Sequence, residues 1–184
     1  MKKLFWDYLY LVAIAASVIL FDQWTKEMVR NNLQVGEVWS PWDALTPYVR
    51  IVHWKNSGAA FGILQGFGGI FMVLAIVVAL MIIVYFPQVP RRDWSLRLAL
   101  GLQLGGAVGN LIDRLIQGYV TDFISVGTFP VFNVADSSIS IGVAVLAIGV
   151  WIQDWRNKEK SPQPTEEPPD SGGEVSGKIS SEGR

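Results

Sequence analysis

The sequence predicts an integral membrane protein, all-α in its span, with four transmembrane helices and a short strand between the first and second. Three observations carry that prediction. Hydrophobic residues make up 51% of the 184-residue chain, mean hydropathy is +0.33, and the apolar residues gather into long runs instead of spreading evenly. Acids, amides and cations cluster where those runs end, which is where ionisable groups are tolerated beside hydrocarbon or kept for function. Lys and Arg also divide unequally between the two sides that four spans would create.

The first run follows Lys2 and Lys3 and reads as a helix over about 4–23. Ala13-Ile14-Ala15 has the look of a signal-peptide cleavage site. The apolar stretch continues past it, however, and ends in FDQWTK, with Asp22 and Lys26 four residues apart on one helix face. A retained first span is therefore expected. Residues 27–66 form the longest non-spanning stretch before the tail. Within it 48–54, YVRIVHW, is β-branched and aromatic and alternates loosely, so it reads as a short strand. NSGAAFG follows at 56–62, with small residues that permit close approach of backbone or ligand. Trp39, Trp42, Tyr48 and Trp54 suit an interfacial aromatic belt.

Residues 68–86 are a second, charge-free span, and 87–94 a loop carrying Arg91 and Arg92. The third span covers 95–115. Its Gly101, Gly105 and Gly109 recur every four residues, a stripe that favours close helix packing over any chemical role. Residues 117–131 read as a short loop and 133–151 as the fourth span. Residues 156–184 are polar and rich in Pro, Gly, Ser and Glu, so a disordered cytoplasmic tail is expected beyond a membrane domain of 1–155.

Lys2, Lys3, Arg91, Arg92, Arg97, Arg156, Lys158 and Lys160 fall on one side of this arrangement. Lys26, Arg30, Arg50, Lys55 and Arg114 fall on the other. Both termini are then cytoplasmic. Asp22, NSGAAFG, Asn110, Asp113, Arg114, Asp122, Asn133 and Asp136 all arrive at the extracytoplasmic ends. Asn110, Asp113 and Arg114 share a helix face by spacing. Asn133 and Asp136 resemble a capping box opening the fourth helix. Taken alone, Asp136 is best read as that cap. A second carboxylate, Asp122, at the same depth changes the reading. Like charges held together split their titration, so one acid keeps a proton while the other is ionised. That suits general acid–base attack of water on an amide.

Other chemistry fits less well. With no cysteine there is no disulfide, thiolate metal site or Cys nucleophile. His53 is the single histidine and lies in the aromatic strand. Three or four carboxylates are enough to bind Mg²⁺, yet no Gly-rich phosphate cradle accompanies them. A net charge of −1 without a dense basic cluster gives no sign of a nucleic-acid partner. A small carrier or proton-relay membrane protein is the competing class. It should place acids near the midplane and often shows internal repeats, whereas these acids cluster at one side and no repeat is evident.

FDQWTK, NSGAAFG, GGAVGNLIDR, VTDF and FNVADS, in this order on four spans, closely resemble the lipoprotein signal peptidases (signal peptidase II). The resemblance covers about 4–151. It implies a membrane aspartyl endopeptidase of the bacterial inner membrane that cuts prolipoproteins just before a diacylglyceryl-modified cysteine. It further implies an extracytoplasmic β-rich cradle at the strand and NSGAAFG region, and neither metal nor organic cofactor. Asp122 and Asp136 match the catalytic dyad. Asp22, Lys26, Asn56, Gly58, Asn110, Asp113, Arg114, Asn133 and Ala135 match supporting positions. The polar tail lies outside the family pattern.

Overall fold

The computed structural model describes residues 2–58 and 66–160. Four long helices account for most of them: α1 (Lys2–Asn32), α2 (Gly68–Tyr85), α3 (Trp94–Gln117) and α4 (Val134–Lys160). Three strands, β1 (Val38–Trp39), β2 (Val49–Asn56) and β3 (Val120–Val126), form one antiparallel sheet in the order β1-β2-β3. Lys2–Asn32, Gly68–Gln88 and Val134–Arg156 are long and apolar enough to cross a membrane. At 24 residues α3 is long enough too, but it is more polar.

The polarity of α3 follows from its place in the bundle. It packs against α1, α2 and α4 together, while α1 and α4 touch each other less. Glycines make this possible. A Cβ at Gly101 would come within 2.8 Å of Ile14, and one at Gly105 within 2.6 Å of Val18. One at Gly106 would meet the Ala135 carbonyl oxygen at 2.5 Å. The helix ends on Gly118, at φ 77°, whose N–H caps the Arg114 carbonyl oxygen.

The molecule is polar inside and apolar outside. Asp7, Asp22, Lys26, Arg97, Asn110, Asp113, Asp122 and Asn133 are buried, while Leu20, Val73, Leu80, Val84, Ile116 and Trp151 are exposed. Water does not favour that distribution, and hydrocarbon does. A small apolar core of Leu11, Ala15, Ala79, Ile82, Phe86 and Leu104 knits α1, α2 and α3 toward the end away from the sheet.

Several expected boundaries shift. The first helix does not end near 23 but runs to Asn32, because Asp22, Lys26 and Val29 continue its buried stripe against α3. Beyond the stripe, Glu27 accepts hydrogen bonds from Arg30 and Asn31 and holds the exposed last turns. The strand expected at 48–54 is β2. The sheet is not confined to the connection between the first two helices, however. Its third strand, β3, lies in the α3–α4 connection, where the sequence reads as a loop. In β3, Val120, Thr121, Phe123, Ile124 and Val126 have strand-favouring side chains, but both faces are covered, so no apolar–polar alternation marks it. The α4 helix runs to Lys160, past the fourth span expected at 133–151. Residues 59–62 of NSGAAFG and 161–184 of the tail lie outside the described residues.

Candidate active site

Five elements deliver polar side chains to one place at the sheet end of the bundle. Asp22 and Lys26 come from α1, Asn56 from the end of β2, Asn110, Asp113 and Arg114 from α3, Asp122 from β3, and Asn133 and Asp136 from the start of α4. Sheet register does part of the positioning. Trp54 pairs with Asp122 and Asn56 with Val120, so the Asn56 side chain ends beside Asp122. Its Nδ2 donates to Asp122 Oδ2 at 2.8 Å.

Asn133 holds both acids. Its Oδ1 accepts the Asp136 N–H at 2.9 Å, and its own N–H donates to Asp136 Oδ2 at 3.2 Å, which is the reciprocal capping box. Its Nδ2 donates to Asp122 Oδ1 at 2.7 Å. The sequence presented the cap and the paired acid as rival readings of Asp136. The geometry accommodates both, because a carboxylate accepts about four hydrogen bonds and the cap uses only one. Asn110 supplies another, its Nδ2 donating to Asp136 Oδ1 at 2.8 Å.

The orientation of Asn110 is fixed from below. Lys26, with no exposed surface, donates to Asn110 Oδ1 at 2.9 Å and pairs with Asp22 at 2.8 Å and Asp113 at 3.2 Å. Its three N–H donors are thereby matched, the condition under which a buried ammonium is tolerable. Asp22 also accepts the Ala135 N–H at 2.9 Å, tying α1 to α4. Asp113 accepts the Thr121 N–H at 2.9 Å, tying α3 to β3. Asn110 and Asp113 thus face α1 as spaced. Arg114 departs from them and turns the other way, toward Gly58, whose carbonyl oxygen accepts from Nη2 at 3.4 Å. The Arg114 guanidinium lies 5.4 Å from the Phe71 ring centre, and its buried Nε has no hydrogen-bond partner among the described residues.

Asp122 and Asp136 line a common cavity of about 570 Å³, together with Asn56, Gly58, Asn110 and Arg114. Burial pushes the Asp122 carboxyl up to about 7, and the nearby Asp136 carboxylate adds to the push. Hydrogen bonds from Asn56 and Asn133, with the Lys26 charge, oppose it only in part. Such an acid retains a proton near neutrality. Among the described residues no group of three or more His, Asp or Glu converges in a way that would hold a metal ion.

Comparison with known proteins gives the family. The family described as Signal peptidase (SPase) II matches residues 14–152. The chain belongs to the signal peptidase II family. The lipoprotein signal peptidase of Halalkalibacterium halodurans is 38% identical over 155 residues, covering 82% of this chain and 96% of that protein. The lipoprotein signal peptidase of Staphylococcus haemolyticus is 32% identical over 163 residues, covering 86% and 100%. A bacterial membrane enzyme solved by the in meso method at 2.3 Å superposes with a TM-score of 0.73 at 32% identity, over 83% of this chain and 93% of that one. This member of the family is accordingly a multi-pass bacterial membrane protein and a peptidase.

Sequence reasoning missed three residues of the network. Gln23 donates to Asp22, to Asp113 and to the Gly109 carbonyl oxygen. Arg30 reaches Asp113 at 3.5 Å and Thr121 Oγ1 at 3.2 Å. Gln23 and Arg30 share the α1 stripe with Lys26, at spacings of three and four, and that was the available signal. Thr121 left none, since only strand pairing brings it there. Also missed was Asp7 at the opposite end. It accepts from Arg97 and Arg91, both at 3.0 Å, and Arg97 lies 4.4 Å from the Phe86 ring centre. Two of the basic residues counted toward topology are therefore paired.

Proposed function

We propose that this protein is a membrane aspartyl endopeptidase that removes signal peptides from prolipoproteins, cutting on the N-terminal side of a diacylglyceryl-modified cysteine, with Asp122 and Asp136 as the catalytic pair. The observation that carries the reading is the convergence of those two acids on one cavity, each held by asparagine amides and each keeping lone pairs free among the described residues. Membership of the signal peptidase II family supplies the substrate class. The chain crosses the bilayer four times with both termini in the cytoplasm, α3 being the span whose polar face is hidden by its neighbours. The site then opens at the extracytoplasmic surface, where water and a lipid-anchored peptide can meet.

In the mechanism, the water oxygen attacks the scissile carbonyl carbon and its proton passes to Asp136. Asp122 donates its proton toward the carbonyl oxygen. On collapse, Asp136 returns the proton to the leaving amide nitrogen and Asp122 recovers its own. Asn110, Asn133 and Asn56 hold the acids. Asn110 donates to Asp136, and Asn133 donates to Asp122, Asn110 and the Thr121 carbonyl oxygen, whereas Arg114 Nε has no partner among the described residues. Stabilisation of the developing oxyanion, or of the lipid ester beside it, therefore falls to Arg114.

Purified protein, a diacylglyceryl prolipoprotein peptide and the variants Asp122→Asn, Asp136→Asn and the double mutant test this. Loss of one proton-transfer group costs about 10²–10⁴-fold in rate. The double mutant should be little worse than either single one, because the acids act as a unit. EDTA should leave the rate unchanged. Near wild-type cleavage by both single variants would dispose of the aspartyl mechanism.

A further inference from the structure

The cavity that holds the two acids adjoins further space along α3. Asn110, Arg114 and Ile139 line both it and an adjoining space of about 240 Å³. Val78 and Gln103 in turn line both that space and a third of about 810 Å³. The three run in series along α3: the first lies beside the start of α4, the second between α2 and Ile139 of α4, and the third against α2. They stay open because α2 packs on α3 and makes no substantial contact with α4.

Gln103 sits on the floor of this groove, at the junction of the second and third spaces and near the middle of α3. Its stem is wedged against α4: a Cβ on Gly142 would lie 3.2 Å from Gln103 Cγ. Its amide is half-buried and has no hydrogen-bond partner among the described residues. Within a membrane span, a primary amide held in place without a partner is unfavourable unless something else supplies one. Everything else on the α2 wall near it is aliphatic or aromatic, namely Phe71, Leu74, Ala75 and Val78.

We propose that the α2–α4 groove seats the apolar helix of the substrate's signal segment, and that Gln103 is a positioning residue whose amide bonds to that helix. This rests on the peptidase reading, which places the scissile bond in the adjoining cavity. Continuity is the argument for a peptide over a separate lipid. The groove leads without interruption to the acids, and the residues entering the membrane from the scissile bond are themselves apolar. Gln103 lies seven residues from Asn110 on α3, roughly 10 Å along the axis. A helical substrate running beside α3 therefore presents to Gln103 a residue about seven positions before the cleavage point.

The test uses full-length protein in mixed micelles and two substrates with the same cleavage site. One carries its complete signal segment and the other begins about three residues before the scissile bond. Gln103→Met keeps length and apolar packing but removes the amide. It should raise KM for the long substrate about three- to ten-fold, the value of one modest hydrogen bond. It should leave kcat, and both constants for the short substrate, unchanged. Because the native chain has no cysteine, Gln103→Cys can be paired with single cysteines placed five to ten residues before the cleavage site. Disulfide trapping in an Asp122→Asn background should peak near seven and recur with a helical period, while Leu20→Cys on the far face of α1 should trap nothing. An unchanged KM for the long substrate, equal effects on both substrates, or trapping at Leu20 as strong as at Gln103 would each overturn the assignment. A bulk lipid filling the groove instead would give an unchanged KM and no trapping. Wild-type turnover in the same preparation separates the two readings. If wild type cleaves and Gln103 proves silent, only the groove assignment falls. If wild type does not cleave, both fall.

Discussion

The fold alters the chemistry of Asp122 directly. Its carboxyl is raised from 3.8 to about 7 by burial first and by Asp136 second. An acid whose folded-state value is raised binds its proton more tightly folded than unfolded. Stability contributed by that proton is complete below about 4, and it is lost as the pH climbs from there to about 7. The Asp122→Asn variant has no such proton to lose. Its melting temperature minus that of wild type should therefore increase between pH 5 and pH 8, by an amount on the order of a few kcal/mol in stability. The trend is the diagnostic, because Asn presents an N–H₂ to one of the two amide donors now facing Asp122. A difference that stays flat over that range, measured by thermal unfolding in detergent, would mean that Asp122 is not held protonated. Activity should fall along the same limb as the pH rises above 7.

At the scale of elements, the site depends on how closely α1, α3 and α4 approach. Gly105 has Val18 Cβ 2.6 Å and the Ala15 carbonyl oxygen 3.0 Å from where its Cβ would be. The offending atoms include backbone, which cannot rotate away. Gly105→Ala should therefore lower stability by about 1–3 kcal/mol, the usual cost of overpacking. Gly69→Ala on α2, with nothing within 4 Å among the described residues, should be neutral or slightly stabilising. Thermal unfolding of the two variants side by side checks this, and equal melting temperatures would count against the packing role. The glycine stripe was readable as a contact surface from its spacing alone. Which helix it contacts was not, since Gly105 faces α1 while neighbouring Gly106 faces α4.

For the whole molecule the distribution of Lys and Arg predicts orientation. With four spans and both termini in the cytoplasm, single cysteines replacing exposed Gln34 and Thr128 should react with a membrane-impermeant maleimide in intact cells. One replacing Gln88 should not. Labelling of Gln88 would invert or break the topology. Arg97, at the Gln88 end, is buried in a pair with Asp7. A paired Arg97 still counts toward the positive-inside bias, which follows Lys and Arg and not net charge.

Composition and periodicity by themselves determined that this chain has long apolar helices, that Asp22, Asn110, Asp113, Asp122, Asn133 and Asp136 gather at one end, and that Asn133 and Asp136 have the spacing of a capping box. Those features are local: each is set by residues within a turn or two of one another, or by bulk transfer to hydrocarbon. Tertiary structure decided what pairing at long range controls. It made a strand of Val120–Val126, because β2 was there to bond with it. It extended α1 to Asn32, because α3 covered Lys26. It divided Asp113 from Arg114, because α1 stands on one side of α3 and a cavity on the other, with Asn110 at the border reaching both. It left the Gln103 amide facing a groove, because α2 stands off from α4. None of these follows from spacing on one helix, since spacing gives the face a side chain occupies and not what the fold sets against it.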